Sequence, residues 1–208
     1  NNRWNSPKFL LGESYGGIRC GGVVNYLHGK GLAMNGVILV SVLMDYRTVV
    51  FQTGDDLPYI GYMPTYAATA WYHNKISNKP ASLESFLKNA REFAMGEYAS
   101  ALMKGSALTG AEKEAMANKI ASFTGLSKEY ILNANLRFTP SQFRQELLRN
   151  EHMMAGRLDS RYKGVAQNLL AENAGYDPQA TAISPAYTSV FLDYYYNTLK
   201  VDKNYYYN

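Results

Sequence analysis

The sequence predicts a mixed α/β chain: one corner of a doubly wound parallel sheet, followed by a large and mainly helical block. Three observations predict it. Two short apolar runs, residues 8–12 (KFLLG) and 36–41 (GVILVS), flank a stretch that suits a helix. After Asp45 no further strand pair follows for over a hundred residues. In that long stretch helix-start signals recur, two of them as complete capping boxes.

An apolar run without polar alternation fits a parallel strand covered on both faces, so residues 8–12 and 36–41 read as buried parallel strands. Residues 15–29 read as the helix between them, with Ile18, Val23, Tyr26 and Leu27 able to face inward. Strand, turn, helix and strand in that order make the building block of a doubly wound sheet. Residues 57–73 (LPYIGYMPTYAATAWYH) are aromatic and interrupted by Pro58 and Pro64. Residues 82–104 predict a long amphipathic helix. Thr109 with Glu112, and Thr139 with Gln142, fit boxes in which each side chain bonds the other residue's free amide. The second carries Pro140 at its first helical position, where a missing N–H costs nothing. Helices are expected over about 110–122, 127–134 and 140–151. Residues 156–164 (GRLDSRYKG) read as a loop or short strand. Ser184-Pro185 opens a last helix that runs to about Leu199 and returns toward the core. The expected division is a core segment over 1–50 and a helical region over 51–208.

A chain of 208 residues suits one domain or one large domain piece. Its 47% apolar content supports a packed core and argues against disorder. No run of about eighteen apolar residues occurs, so no transmembrane helix is expected. The net charge of +4 comes from scattered basic residues, whereas nucleic-acid binding asks for a basic stripe or patch. Cys20 is the only cysteine, so no internal disulfide forms, and the three histidines lack metal-ligand spacing. Neither a metal nor a cofactor is implied. The chain enters its first apolar run within about eight residues of its start, as a cut chain would. A two-strand corner leaves open sheet edges and half a core. It is expected to need further strands from another segment of the same fold, or to self-associate.

The chemistry concentrates in Gly12-Glu13-Ser14-Tyr15-Gly16-Gly17, which contains the G-x-S-x-G pattern of a nucleophile elbow. In that geometry the serine sits on a sharp strand-to-helix turn that lifts Oγ above the strand ends. A larger residue at Gly12 or Gly16 is expected to collide with neighbouring backbone. The Tyr15 amide lies at the helix start, where unpaired N–H groups favour an anion, and makes a natural half of an oxyanion hole. The pattern alone is common, and a glycine-rich turn with an incidental serine is the bland alternative. The apolar strand before it, the helix after it and the second strand beyond give it weight. They make the fold expectation an α/β-hydrolase: a partial parallel sheet corner with a helical cap.

The segment PKFLLGESYGGIR also resembles the active-site segment of serine carboxypeptidases, whose hallmark is G-E-S-Y-[AG]-G. Residues 35–39, 57–73, 156–161 and the Tyr176-Asp177-Pro178 segment look like the bacterial branch of that family, so the resemblance runs along nearly the whole chain. It implies a serine-type peptidase that removes single residues from peptide C-termini, with Ser14 as nucleophile and the Tyr15 amide as one oxyanion donor. Glu13 matches the family glutamate that helps bind the substrate's terminal carboxylate. Two carboxylates meet only by sharing a proton, so such binding favours acidic pH. The implied partner is a peptide with a free C-terminal carboxylate, and a secreted or periplasmic location is slightly favoured. The family's other oxyanion donor, and its Asp and His, are not visible in this chain. A related esterase or acyltransferase is the runner-up, and a non-catalytic helical interaction module with Ser14 as a relic stands beside it.

Few residues could complete a triad internally. His28 lies one helix length from Ser14, His73 falls in the aromatic segment, and His152 follows a helix end. Asp45 follows the second strand, where some hydrolases of this fold carry their acid, which leaves an Asp45–His152 pair as the internal option. Arg157, Asp159 and Arg161 alternate, which on a strand places them on one face as a structural ion-pair set. Cys20 among Gly16, Gly17, Gly21 and Gly22 suggests close helix–sheet packing. The 18 tyrosines cluster in the helical block and the tail, mostly as half-buried packing residues, some lining a substrate groove. By this reasoning the chain alone hydrolyses no peptide at a useful rate.

Overall fold

A computed structural model describes residues 3–204. The chain is mixed α/β and divides into two compact units, one through Pro58 and one from Tyr59 on. The tyrosines at 205–207 lie outside the described residues.

In the first unit, β1 (Phe9–Glu13) and β2 (Gly36–Val40) pair in parallel, from Phe9 opposite Gly36 to Glu13 opposite Val40, with α1 (Gly16–His28) as the crossover. Asn35 opens the ladder twice over. Its amide donates to the Lys8 carbonyl at 2.7 Å, and its Oδ1 accepts from the Lys8 amide at 2.8 Å. Beyond β2, Asp45 caps a 3-10 turn (Tyr46–Thr48) by accepting from the Arg47 amide at 2.9 Å.

The strands form where expected, yet they are not covered on both faces. Leu11 is 66% exposed, Ile38 50% and Leu39 46%. Nor does α1 turn its large residues inward. Gly17 and Cys20 are its buried residues, Ile18 and Leu27 are half-buried, and Val23 and Tyr26 stand in solvent. The cause is distance. A Cβ on Gly17 would lie 1.6 Å from Val42 Cγ2, so the helix approaches the strands along its bare side. Gly21 and Gly22 face open space and take no part in that approach.

The second unit is helical. Its first helix, α2 (Leu57–Tyr72), is a single element although the sequence suggested an interrupted segment. Pro58 falls in the first turn, where no N–H is needed. Pro64 sits inside, and loses one backbone bond. Met63, Tyr66, Ala67 and Ala70 bury a continuous face of this helix, which outweighs that loss. The helix expected over 82–104 is one rod with a π turn inside it: α3 (Leu83–Phe93), then Ala94–Tyr98, then α4 (Ala99–Lys104). Both capping boxes form, at the starts of α5 (Gly110–Thr124) and of α7 (Pro140–Glu146). α6 (Lys128–Asn133) lies between them, capped by Ser127. The helix expected to reach 151 stops at Glu146 and continues as a 3-10 turn (Arg149–Glu151).

β3 (Met153–Ala155) and β4 (Lys163–Val165) form an antiparallel hairpin around the loop 156–162. The last helix, α8 (Pro178–Asp193), opens six residues before Ser184 because Asp177 accepts from the Gln179 amide and Pro178 fits the first turn. Pro185 therefore lies inside it.

The core belongs to this unit. Tyr66 stacks on Phe143 at 4.4 Å and Phe93 on Phe123 at 4.9 Å, with Met63, Ile120, Ile131 and Leu148 filling between. The buried hydroxyls of Tyr66 and Tyr98 donate to the carbonyls of Phe138 and Leu136. Burial pushes the Tyr66 phenol far above its ordinary range, so it stays a neutral donor. Arg144 is buried as well. Its guanidinium donates to the carbonyls of Ala155 and Tyr176, tying α7 to the hairpin and to the approach of α8. Tyrosine use is divided: Tyr66 and Tyr98 are buried, Tyr62 and Tyr130 are half-buried against the core, and Tyr187 and Tyr194 are exposed.

Candidate active site

Ser14 stands between the end of β1 and the start of α1 with φ +53°. That left-handed conformation costs a non-glycine residue about 1–3 kcal/mol and persists only where surrounding structure over-determines it. Three main-chain bonds do so here. The Ser14 amide donates to the Val40 carbonyl at 3.0 Å, and the Ser14 carbonyl accepts from the amides of Gly17 at 3.1 Å and Leu43 at 3.0 Å. The backbone is thus fixed on both sides, while the side chain stays exposed.

Gly12 is what allows the fold-back. A Cβ there would lie 2.4 Å from the Gly16 carbonyl oxygen and 2.7 Å from Cys20 Sγ. The expected collision at Gly16 does not occur, since its Cβ direction meets nothing within 4 Å. The tight positions are Gly12 and Gly17, because these two lie on the side of the turn where α1 runs against β1 and Val42.

Tyr15 is the N-cap residue of the 13-residue helix α1, and its ring leans on Tyr46 at 6.2 Å between centroids. The first amides of a helix have no earlier turn to bond, so the helix start presents N–H groups beside Ser14. Glu13 ends β1 opposite Val40, exposed, and makes no ion pair among the described residues. The strand end, the serine and the helix start therefore bring a carboxylate, a hydroxyl and an amide donor into consecutive positions.

The histidines lie elsewhere. His28 ends α1, about 20 Å of helix from Ser14. His73 bonds the Ser160 carbonyl through Nε2 at 2.7 Å and packs edge-on against Tyr72, so it pins the 156–162 loop. His152 follows a 3-10 turn at φ +59°, and its carbonyl accepts from the Ala166 amide. Of the internal pair, Asp45 lies in the first unit, where its carboxylate caps its own turn, and His152 lies in the second.

Compared with known proteins, the chain matches no family model, no curated protein and no solved structure. Its chemistry therefore rests on its own geometry.

The alternating Arg157, Asp159 and Arg161 are not on a strand. They occupy the loop between β3 and β4, where Arg161 clasps Asp159 through Nε and Nη2, while the Arg157 amide donates to Asp177. Arg161 thereby holds the Asp159 carboxyl down to about 2. Among the described residues no group of three His, Cys, Asp or Glu side chains could hold a metal ion, and no helix is long and apolar enough to cross a membrane.

Residues that sequence reasoning missed are the clamps of the turn: Val40 and Leu43, which hold the Ser14 backbone, and Val42, which faces Gly17. They act through main chain or plain bulk, so no residue-type signal marks them. Ser41, at φ +42°, turns the chain from β2 toward them. An open, largely apolar groove of about 430 Å³ lies between α1 and β2, with Cys20, Val24, Leu39 and Met44 in its walls.

Proposed function

We propose that Ser14 is the nucleophile of a serine hydrolase of the α/β-hydrolase fold, and that the reaction is the removal of C-terminal residues from peptides. The observation that carries the first half is Ser14 itself: a left-handed, exposed serine locked between a parallel strand and a helix start in a G-x-S-x-G setting. Strain of that kind is retained where a side chain must project from a turn. The second half rests on Glu13 and the wider resemblance to serine carboxypeptidases.

In this mechanism Ser14 Oγ attacks the scissile carbonyl while a base takes its proton. The oxygen of the tetrahedral intermediate accepts from the Tyr15 amide, helped by the dipole of α1. Collapse expels the C-terminal residue as an amine and leaves an acyl-serine, which water then hydrolyses. Glu13 shares a proton with the substrate's terminal carboxylate and so favours acid. The base, its carboxylate and the second oxyanion donor come from outside the first unit, whose one histidine is at the far end of α1.

Two experiments test this on the intact protein. A fluorophosphonate should label Ser14, and Ser14→Ala should abolish labelling and lower kcat by roughly a millionfold, with the helix content unchanged. An adduct that survives Ser14→Ala rules out the assignment. Glu13→Gln should raise KM for free-carboxylate peptides, most strongly in acid, and leave peptide amides nearly untouched. An equal loss for both substrates would mean that Glu13 supports the turn and does not read the carboxylate.

A further inference from the structure

The second unit carries a cleft of about 320 Å³ between α2, α3 and the 156–162 loop. That volume lies at the lower end of the range of small-molecule sites. Pro64, Ala68, Leu83 and Leu87 give it apolar walls, and Arg91 and Arg161 are among its lining residues.

The loop wall is built rather than incidental. His73 holds the Ser160 carbonyl, Asp177 holds the Arg157 amide, and the Gly156 amide donates to the Tyr162 carbonyl at 2.8 Å. Asp159 grips the Arg161 side chain and also accepts from the Arg161 amide at 3.0 Å. A Cβ on Gly156 would sit 2.2 Å from the Asp159 carbonyl oxygen, so the loop closes only with glycine there. Arg161 is thus oriented by its neighbours. Its ion pair still leaves both Nη1 protons and one on Nη2 for a ligand.

The hydroxyls have a defined polarity. Thr69 is 4% exposed and spends its proton on the Thr65 carbonyl at 2.9 Å, so at the 2.8 Å contact between Thr69 and Ser160 it is Ser160 that donates. Ser160 Oγ therefore has lone pairs left to accept an N–H. The charge is equally defined. Asp159 neutralises Arg161, and Arg91 makes no ion pair among the described residues, so the lining carries one net positive charge.

We propose that this cleft binds an N-acylated apolar amino acid, free or as the C-terminal residue of a peptide. The single carboxylate meets Arg91 and the free edge of Arg161. The acylamide N–H meets the lone pairs of Ser160, and the side chain lies against Leu83, Leu87 and Pro64. One net charge suits a monoanion better than a phosphate dianion. The proposal does not rest on the assignment of Ser14, because every residue it uses lies beyond Tyr59.

Calorimetric titration of the Ser14→Ala chain tests it without turnover, using N-acetyl-L-leucine, N-acetyl-L-leucinamide and inorganic phosphate. A charged hydrogen bond is worth about ten- to a hundredfold, so the acid should bind at least about tenfold tighter than the amide. Arg91→Gln should remove that advantage with an unchanged Tm, since Arg91 is exposed. Arg161→Gln should remove it too, although it also loosens the loop. Phosphate should bind more weakly than the acid. Equal affinity for acid and amide, phosphate binding as tight as the acid, unchanged binding by Arg91→Gln, or no saturable binding of the acid would each overturn the proposal. None of these results depends on whether Ser14 takes a fluorophosphonate.

Discussion

Through Pro58, the buried residues among those described are Gly12, Gly17, Cys20 and Pro58, while Leu11, Ile38 and Leu39 stay in solvent. From Tyr59 on, Met63, Ala67, Ala70, Ala90, Ile120 and Ile131 reach 0% exposure around a chain of stacked aromatic rings. The two units are held by different parts of the chain. The first relies on main chain: a five-residue parallel ladder, the Asn35 link and the three bonds around Ser14. The second relies on side chains, and its helix ends are closed by Thr109, Ser127, Thr139 and Asp177. A strained serine sits in the unit with little side-chain burial, and the backbone bonds around it are what keep it there.

The largest effect that could break this comparison is in the core. Phe138 is 1% exposed and touches the rings of Tyr66, Tyr130 and Phe143. Phe138→Ala should cost about 3–5 kcal/mol, against about 0.5 kcal/mol or less for Leu11→Ala at a 66% exposed site. Urea unfolding measures both. Native-state hydrogen exchange should show protected amides in α2, α5 and α7 and earlier opening in β1 and β2. Similar costs for the two substitutions, with uniform protection, would mean that burial does not separate the units as described.

A smaller effect sharpens the account of the turn. Gly12→Ala forces a Cβ into the Gly16 carbonyl and should cost roughly 1–3 kcal/mol, with loss of fluorophosphonate labelling. Gly16→Ala meets open space and should stay within about 0.5 kcal/mol of the parent in stability. If Gly16→Ala unfolds the turn as well, the tight side has been misassigned.

The smallest expected effect is electrostatic. Glu112 closes the capping box of α5, and the Lys104 ammonium, followed by the Thr109 amide and hydroxyl, lowers its carboxyl from 4.5 to about 2. A carboxylate depressed in the folded state stabilises it fully above its unfolded pKa and loses that contribution as pH falls through the folded value. The Tm of the helical unit should therefore decline between about pH 4.5 and pH 2. Glu112→Gln should flatten part of that decline, and so should high salt, because the pair is exposed. A decline that is the same in Glu112→Gln would assign the titration to the other depressed carboxyls of this unit, Asp159, Glu114 and Glu151.

Much of this was legible in the residues. Local signals were sufficient wherever a few neighbouring positions decide the outcome. Thr109 with Glu112, and Thr139 with Gln142, close boxes that need only a four-residue window. Gly12-Glu13-Ser14-Tyr15-Gly16 specifies a strand-to-helix turn because only glycine tolerates the fold-back at position 12, and Ser14 takes the left-handed backbone there. The α/β corner and its helical continuation followed from apolar runs and periodicity in the same way. Tertiary packing decided the rest. Pro64 and Pro185 stayed inside helices, although a window reading ends or opens a helix at proline. Residues 156–164 became the loop and second strand of a hairpin, held in place by His73, Thr69 and Asp177 from distant positions. Val23 and Tyr26 faced solvent because glycines drew the opposite side of α1 against the strands. The physical reason is range. Caps, turns and strand runs are settled by bonds within a few residues, whereas the face a helix buries and the loop a histidine pins depend on groups brought together only when the chain has folded.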